Sequence, residues 1–192
     1  GDLSRWNTDQ ATNMREMFNG ATVFNGDLSG WSLGKVTDIQ YMFNGASAFT
    51  SDLAGWNVDS VTNMGDVFQG ATAFNSDLSG WKVGKATAMQ YMFNGASSFN
   101  CDLSAWNVAK VTNMEAMFRE ASEFNQTLCG PAWVAKRALR SNWVATAQIS
   151  DVLCACARGQ YIEYDDTQTA TYCTDCQTGR FSADVNVVFT SS

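Results

Sequence analysis

The sequence contains no histidine, a single proline, and only 12 lysines and arginines against 19 aspartates and glutamates. Without histidine, Ser-His-Asp and Cys-His nucleophilic catalysis, imidazole general bases and histidine-ligated metals are excluded. Hydrolysis by paired carboxylates stays open in principle, but the sequence shows no asymmetric acid cluster that suits it. We therefore expect a protein that is not an enzyme and needs no cofactor.

The charge and hydropathy of the chain exclude two further classes of partner. A formal net charge of −7 lacks the basic surface that nucleic-acid binding requires. No apolar run is long enough to span a membrane, and no signal peptide opens the sequence. We expect neither nucleic-acid binding nor membrane insertion in this segment, and a signal peptide removed or lying outside it if the protein is secreted.

Tryptophan returns every 25 residues through the first two-thirds of the chain, each time inside a near-copy of the same sequence. A fixed period in this range indicates stacked structural units that bury their apolar faces only against one another. We predict that the repeated tryptophans form one internal column. They are Trp6, Trp31, Trp56, Trp81 and Trp106.

The third repeat shows the pattern within one unit. Trp56 and Val58 lie two residues apart, as on a strand with one buried face. Apolar residues across 64–71 are spaced by three and four, which favours a short helix, and Asn63 supplies a start signal for it. Gly70 falls where that helix should end and suits a left-handed backbone. The sequence therefore predicts that each repeat consists of a strand, a turn, a short helix and a turn, with the strands of neighbouring repeats paired in parallel.

An aspartate opens each repeat, so the array should stack these carboxylates in a row. Stacked like charges repel one another unless each is hydrogen-bonded, which favours turn capping through backbone N–H groups. A row of calcium sites is the alternative, but each repeat offers one acid where calcium takes six to eight oxygens. The acids in question are Asp27, Asp52, Asp77 and Asp102.

The second and fourth repeats share residues that the odd repeats lack, so the sequence has a 50-residue period as well as the 25-residue one. Duplication of a two-repeat block explains this without any function. A partner that reads every second repeat is the alternative, and Lys35, Tyr41, Lys85 and Tyr91 would then be its contacts. The predicted strand also exposes small polar side chains, and the further interaction candidates on it are Asn57, Lys82 and Asn107.

The wording Val-Thr-Asn-Met-x-x-Met-Phe-x-x-Ala-x-x-Phe-Asn-x-Asp-Leu-Ser-x-Trp-Asn-Val resembles the BspA-like leucine-rich repeat of surface proteins and recurs five times over residues 1–130. The resemblance implies an α/β solenoid with a right-handed, leucine-rich-repeat-like coil, a parallel sheet and short helices. It also implies an extracellular or cell-surface location and a role in adhesion or surface structure. The family offers no catalytic residues to carry over.

The repeat pattern ends near residue 130. Residues 131–151 carry apolar side chains at helical spacing, and we expect them to form a helical cap over the last repeat. Residues 152–192 change to cysteine, tyrosine and threonine, which predicts a small disulfide-rich β appendage. The expected domains are thus a five-repeat solenoid at 1–130, the cap at 131–151 and a cysteine-rich module at 152–192.

Six cysteines are candidates for disulfide bonds. Cys101 and Cys129 lie in neighbouring repeats, so a bridge between them is feasible if their Cα separation allows it. The other four form the two pairs of a zinc-knuckle pattern, but the first pair is one residue short, so disulfides and zinc both remain open. These four are Cys154, Cys156, Cys173 and Cys176.

Two phrases of the form Cys-x-x-Gly-x-aromatic, starting at Cys156 and Cys176, resemble the cysteine-rich repeats of extracellular receptors of tumour-necrosis and ephrin type. That resemblance implies a bridge between Cys156 and Cys173. Asn125 begins an Asn-Gln-Thr sequence, which makes it a candidate glycosylation site in a secreted eukaryotic protein.

These observations lead to one main expectation for function. The chain should be a non-catalytic extracellular module for structure or adhesion, a section of a larger surface protein or of a filament. Its partners should be other copies of the protein or surface proteins, and homo-assembly is expected where a neighbour stacks on the array. The alternative is a recognition module that binds glycan or protein through the polar strand face.

Overall fold

The computed structural model describes residues 3–126, 128, 131–134, 136, 160–164 and 170–175. The chain forms two compact units, Gly1–Leu153 and Cys154–Ser192. The described part of the first unit holds the repeats and a short helix, α1 (Pro131–Val134). The second unit holds two antiparallel strands, β1 (Gln160–Tyr164) and β2 (Ala170–Asp175), whose aromatic and β-branched residues favour extended backbone.

Successive repeats are joined by main-chain hydrogen bonds from alternate residues. In the first repeat the N–H groups of Met14, Glu16, Phe18 and Gly20 donate to carbonyls of the second repeat at 2.7 to 2.9 Å. The same four bonds recur between every later pair of neighbouring repeats. All of these N–H groups point towards the repeat that follows in sequence. Parallel bridges mark the start of each run, at Asn13, Asp38, Asn63, Ala88 and Asn113.

Turns replace the helix that the apolar spacing predicted within each repeat. In the third repeat they span residues 65–70. The N–H groups of Asp66, Phe68 and Gly70 donate to the fourth repeat and are not available for helical bonds. Asp66 also has a φ of 60°, and a left-handed residue cannot continue a right-handed helix. The left-handed backbone expected at Gly70 is present, with a φ of 67°.

The predicted strand around Trp56 and Val58 is likewise not a strand in the structure. Residues 54–55 form a turn, and the parallel pairing between repeats begins instead at Thr62. Trp56 and Val58 are nevertheless both buried. Their two-residue spacing therefore reflects packing against the core rather than membership of a sheet.

The tryptophans are fixed by a hydrogen bond as well as by packing. Each indole Nε1–H donates to a leucine carbonyl of the preceding repeat, as from Trp56 to Leu28 and from Trp81 to Leu53, both at 3.0 Å. Trp31 and Trp106 make the same bond, at 3.0 and 2.9 Å, and all four indoles are 2 to 3% exposed.

Trp6 is the exception to the predicted internal column. Its ring stacks on Trp31 at 6.2 Å between centroids, yet 52% of the residue is exposed. Four of the five predicted tryptophans are thus buried in the structure, and Trp6 is exposed.

Phenylalanines add two further columns that the sequence reasoning did not single out. Phe43 and Phe68 stack at 5.6 Å in one column, and Phe49 and Phe74 stack at 5.8 Å in the other. Within one repeat the two columns meet, as at 3.9 Å between Phe68 and Phe74. Each such pair adds about 0.5 to 1.5 kcal/mol beyond its buried area. The core therefore contains a continuous aromatic stack.

Helix α1 supplies a sixth member of the tryptophan series. The 25-residue period would place it at position 131, where the chain has Pro131. Trp133 takes the role instead: it is 3% exposed and its Nε1 donates to the Leu103 carbonyl at 2.9 Å. The start of the expected cap thus makes the same tryptophan bond that connects neighbouring repeats. Within the predicted cap, residues 135 and 137–151 lie outside the described part of the chain.

The tryptophan bond predicts a stability difference between two equivalent substitutions. Trp81→Phe keeps an aromatic ring but leaves the buried Leu53 carbonyl without its donor, so it should lower the free energy of unfolding by about 1 to 3 kcal/mol. Trp6→Phe, at the exposed position, should change it by less than about 0.5 kcal/mol. Urea unfolding followed by circular dichroism measures both. Equal losses would contradict the role assigned to the indole N–H.

Candidate functional site

The predicted interaction residues are mostly exposed but do not form one ladder. Lys35 is exposed, and its Nζ donates to Gln10 Oε1 of the preceding repeat at 2.7 Å. Tyr41 instead lies below the Arg15 guanidinium, 5.1 Å from the ring centroid. The lysine and the tyrosine of the second repeat therefore belong to different networks. Lys82 and Lys85 are exposed as well.

Asn57 and Asn107 have a local structural role in addition to being exposed. The Asn57 Oδ1 accepts a hydrogen bond from the Asp59 N–H at 3.0 Å, and Asn107 accepts one from Ala109 at 3.2 Å. Both side chains thus close turns of the kind that asparagine favours. They sit on a row of turns rather than on the flat strand face that the sequence predicted.

The aspartate row shows the capping that the sequence favoured. Each carboxylate accepts a hydrogen bond from the N–H two residues on, at 2.8 to 2.9 Å. At Asp77 the hydroxyl and N–H of Ser79 lower the pKa of the carboxyl from its ordinary value of 3.8. Within the described residues, no group of three or more histidine, cysteine or acidic side chains is placed to hold a metal ion.

Tyr41 and Tyr91 occupy strained backbone positions on either side of the third repeat. Their φ angles are 59° and 53°, in the left-handed region that non-glycine residues rarely adopt. The Tyr91 hydroxyl donates to Glu115 Oε1 at 2.6 Å, and this bond raises the pKa of Tyr91 above 10.0. Both tyrosines are partly buried. The two rings therefore flank the position that Asp66 occupies between them.

Asp66 is a buried acid, only 5% exposed. Its Oδ2 accepts a hydrogen bond from Gln40 Nε2 at 3.4 Å, and the side chains of Gln90 and Tyr41 also bond to it. Burial raises its pKa above 3.8 despite these donors and the charge of Arg15. We call this set of side chains the central cluster; its members are Gln40, Tyr41, Gly65, Asp66, Gln90 and Tyr91.

Gly65 makes the central cluster possible. The equivalent positions in the other repeats carry Arg15, Gln40, Gln90 and Glu115. A Cβ at Gly65 would overlap the side-chain amide of Gln90, so this amide fills the space that a larger residue would take. Among the residues that the structure describes, none bonds to the buried Gln90 Oε1.

Sequence reasoning did not select Gly65 and Asp66, although a signal for them exists. The third repeat is the only one of the five with glycine and aspartate at these two positions. A departure from an otherwise regular repeat is thus the feature that would have found the cluster.

The cysteines fall mostly outside the described residues. Cys101 has a free, partly buried thiol; the Leu78 N–H donates to its Sγ at 3.2 Å, and burial raises the pKa of the thiol. Its proposed partner, Cys129, lies outside the described residues, as do Cys154, Cys156 and Cys176. The backbone of Cys173 lies in β2 opposite Ile162.

Two other expectations can be placed on the structure. Asn125, the glycosylation candidate, is exposed, and its N–H donates to Asn100 Oδ1 at 2.9 Å. Among the described residues there is no helix with the length and apolar character to cross a membrane.

The close fit at Gly65 predicts a difference between two glycine substitutions. Gly65→Ala would push the Gln90 amide aside and break its hydrogen bond to the Asp66 carboxylate, so it should destabilise the protein by about 1 to 3 kcal/mol. Gly55→Ala is the matched control, because nothing lies within 4 Å of the added Cβ. Urea unfolding of both variants measures the difference. A neutral Gly65→Ala would show that the space is not filled as described.

Comparison with known proteins assigns a family to the repeats. Residues 1–73 and 51–149 match the family described as Mycoplasma protein of unknown function, DUF285. No curated protein and no solved structure is significantly similar to the chain. The two matches overlap and together include all five repeats and most of the sequence. The chain therefore belongs to the DUF285 family.

Proposed function

We propose that the chain is a non-catalytic extracellular module with a structural or adhesive role, a section of a larger cell-surface protein or of a filament. Its repeats form a right-handed, leucine-rich-repeat-like solenoid of the kind in BspA-like surface proteins. The parallel hydrogen bonds between repeats and the DUF285 match support this proposal. The partners are other copies of the protein, surface proteins or glycans.

Two rows of hydroxyl side chains carry the proposal. Each row takes one residue from every repeat, and each hydroxyl after the first donates to the backbone carbonyl of its counterpart in the preceding repeat at 3.1 to 3.3 Å. We call the first the threonine row, since it consists of Thr12, Thr37, Thr62, Thr87 and Thr112, all exposed. The second row consists of Thr22, Ser47, Thr72, Ser97 and Ser122.

The rows suit a surface that binds through many weak contacts. Their side chains are uncharged and already held by the backbone, so a partner would order few of them on binding. The tryptophans and phenylalanines of the inner repeats lie in the core and are not available as anchors. A repeated, pre-ordered polar surface of this kind fits attachment over an extended area better than recognition in a pocket.

Charge placed on the threonine row should test the proposal. Beads coated with the protein should adhere to one another or to cells, and Thr37→Lys with Thr87→Lys should reduce that adhesion at least about tenfold, because two charged side chains would then lose their hydration where uncharged hydroxyls met the partner. The control is Gly55→Lys with Gly80→Lys. It adds the same charge in the turns at 54–55 and 79–80, where nothing lies within 4 Å of an added Cβ. Equal adhesion by both double variants would contradict a role for the row. Wild-type beads that neither aggregate nor attach would contradict the structural and adhesive proposal itself.

Recognition of a glycan or protein ligand is the second candidate function. The observation that favours it is the pair of partly exposed tyrosines, Tyr41 and Tyr91, which flank one repeat. Aromatic rings with a polar tip suit such ligands. A glycan-array screen with Tyr41→Ala and Tyr91→Ala tests it. Unchanged binding of every detected ligand would exclude the tyrosines from recognition.

For residues 152–192 we propose a disulfide-bonded module that resembles extracellular receptor repeats, with Cys156 bonded to Cys173. The antiparallel pairing of β1 and β2 is compatible with a small β appendage. Peptide mapping of the purified protein under non-reducing conditions should recover the Cys156 to Cys173 bridge. Recovery of free thiols together with bound zinc would support the zinc alternative instead.

A further inference from the structure

All four lysines of residues 3–126 occur in one part of the repeat. They lie in five equivalent segments, 7–10, 32–35, 57–60, 82–85 and 107–110, each of which ends in a turn. Lys35, Lys85 and Lys110 occupy the last position of their segments, and Lys82 occupies the first position of the fourth segment. We call these five segments the lysine edge.

Contacts between neighbouring repeats place these segments side by side. The Lys35 Nζ donates to Gln10 Oε1 at 2.7 Å, so the last positions of neighbouring segments are in contact. Trp81 and Trp106 directly precede the fourth and fifth segments, and their stacked rings lie 6.4 Å apart. Equivalent lysines are therefore about 5 Å apart in neighbouring repeats and about 10 Å apart when one repeat intervenes, as the strand spacing requires.

The lysine edge has the opposite charge to the rest of the repeats. It contains four lysines and two acids, Asp9 and Asp59, whereas the other positions of residues 3–126 contain three arginines and ten acids. The fourth and fifth segments contain no acid, so Lys82, Lys85 and Lys110 lie together without an opposite charge in their own segments. The formal net charge of −7 conceals this basic edge, because it sums the charges of the whole chain.

The three lysines of the fourth and fifth segments are exposed and open to a ligand. Within residues 3–126 the ion pairs join arginines to glutamates, at 2.9 and 3.3 Å, and none involves a lysine. An ammonium group without a carboxylate partner keeps its charge and its N–H donors for a ligand. Lys85 and Lys110 occupy the same position in neighbouring repeats, so their like charges repel and a bound anion relieves that repulsion.

We propose that the lysine edge binds a linear sulfated polysaccharide that lies along the array. Each sulfate group offers a negative charge and oxygens that accept hydrogen bonds from lysine. A single polysaccharide chain carries its charges in one line, which matches a basic edge one segment wide. Such binding gains much of its free energy from released counterions and weakens as salt is added. It goes beyond the adhesive role proposed above, because the lysine edge is separate from both rows of hydroxyl side chains.

Nucleic acid fits this edge less well than a single sulfated chain does. A duplex carries phosphates on two strands, about one charge per 1.7 Å of its axis, so part of its charge would face the acidic remainder of the repeats. Single strands bind by stacking their bases on aromatic side chains, and the five segments contain no aromatic residue. The sulfated polysaccharide is therefore the polyanion that the edge favours.

Heparin is a suitable probe, and its affinity for the full chain can be measured by calorimetric titration at several salt concentrations. Lys85→Gln with Lys110→Gln should weaken binding at least about tenfold and reduce the slope of log K against log salt by about two. Lys85→Arg with Lys110→Arg keeps both charges and should bind within about twofold of the wild type.

The control for net charge is Ala48→Asp with Ser98→Asp. It changes the net charge by the same amount as the glutamine variant, at two exposed positions outside the lysine edge. Because these positions are not part of the binding surface, the control should bind heparin within about threefold of the wild type. An equal loss of affinity in the control and in the glutamine variant would overturn the proposal.

Two further ligands test the chemistry of the site. Desulfated heparin should bind at least about tenfold more weakly, and equal affinity would contradict recognition of sulfate. Duplex DNA that displaces heparin as effectively, charge for charge, would assign the edge to nucleic acid and overturn the proposal. The bead assay separates this result from the adhesive role. Adhesion without heparin binding would contradict the lysine edge alone, whereas heparin binding without adhesion would support the edge and contradict the adhesive role.

Discussion

The hydrogen bonds from alternate N–H groups of one repeat to carbonyls of the next are the interaction on which the array depends. A buried N–H or carbonyl without a partner costs about 1 to 3 kcal/mol, so a repeat with no neighbour on that side would leave four such groups unpaired. The indole bond of each buried tryptophan to the preceding leucine carbonyl adds a further connection in the opposite direction. Neighbouring repeats therefore stabilise one another, as expected for a linear array.

Left-handed residues recur at fixed positions in this bonding pattern. The second and fourth N–H donors of each run have a positive φ, which costs roughly 1 to 2 kcal/mol when the residue is not glycine. Glu16, Tyr41, Asp66, Tyr91 and Ala116 all take that conformation. In the third repeat the left-handed residue is an acid, and Gly65 beside it leaves room for the amide of Gln90. The buried acid and the amide beside it thus lie where the third repeat departs from the pattern of the other four.

The sequence predicted much of what repeats and little of what does not. The 25-residue period, the burial of Trp31, Trp56, Trp81 and Trp106, and the left-handed Gly70 followed from spacing and residue type. The helix predicted after Asn63 was wrong because periodicity reports which side chains are buried, whereas the N–H groups of Asp66 and Phe68 bond to another repeat. The central cluster was missed because sequence reasoning followed what the repeats share, whereas Gly65 and Asp66 are the positions at which the third repeat departs from the others.

Hydrogen exchange at the indole N–H groups tests this account most directly. If each buried tryptophan donates to the leucine carbonyl of the preceding repeat, the indole protons of Trp31, Trp56, Trp81, Trp106 and Trp133 should exchange slowly, and that of Trp6 should exchange rapidly. Nitrogen-15 NMR in deuterated buffer resolves the signals, with single Trp→Phe variants for assignment. Indole protons that all exchange as fast as that of Trp6 would contradict the stacking of repeats through these bonds.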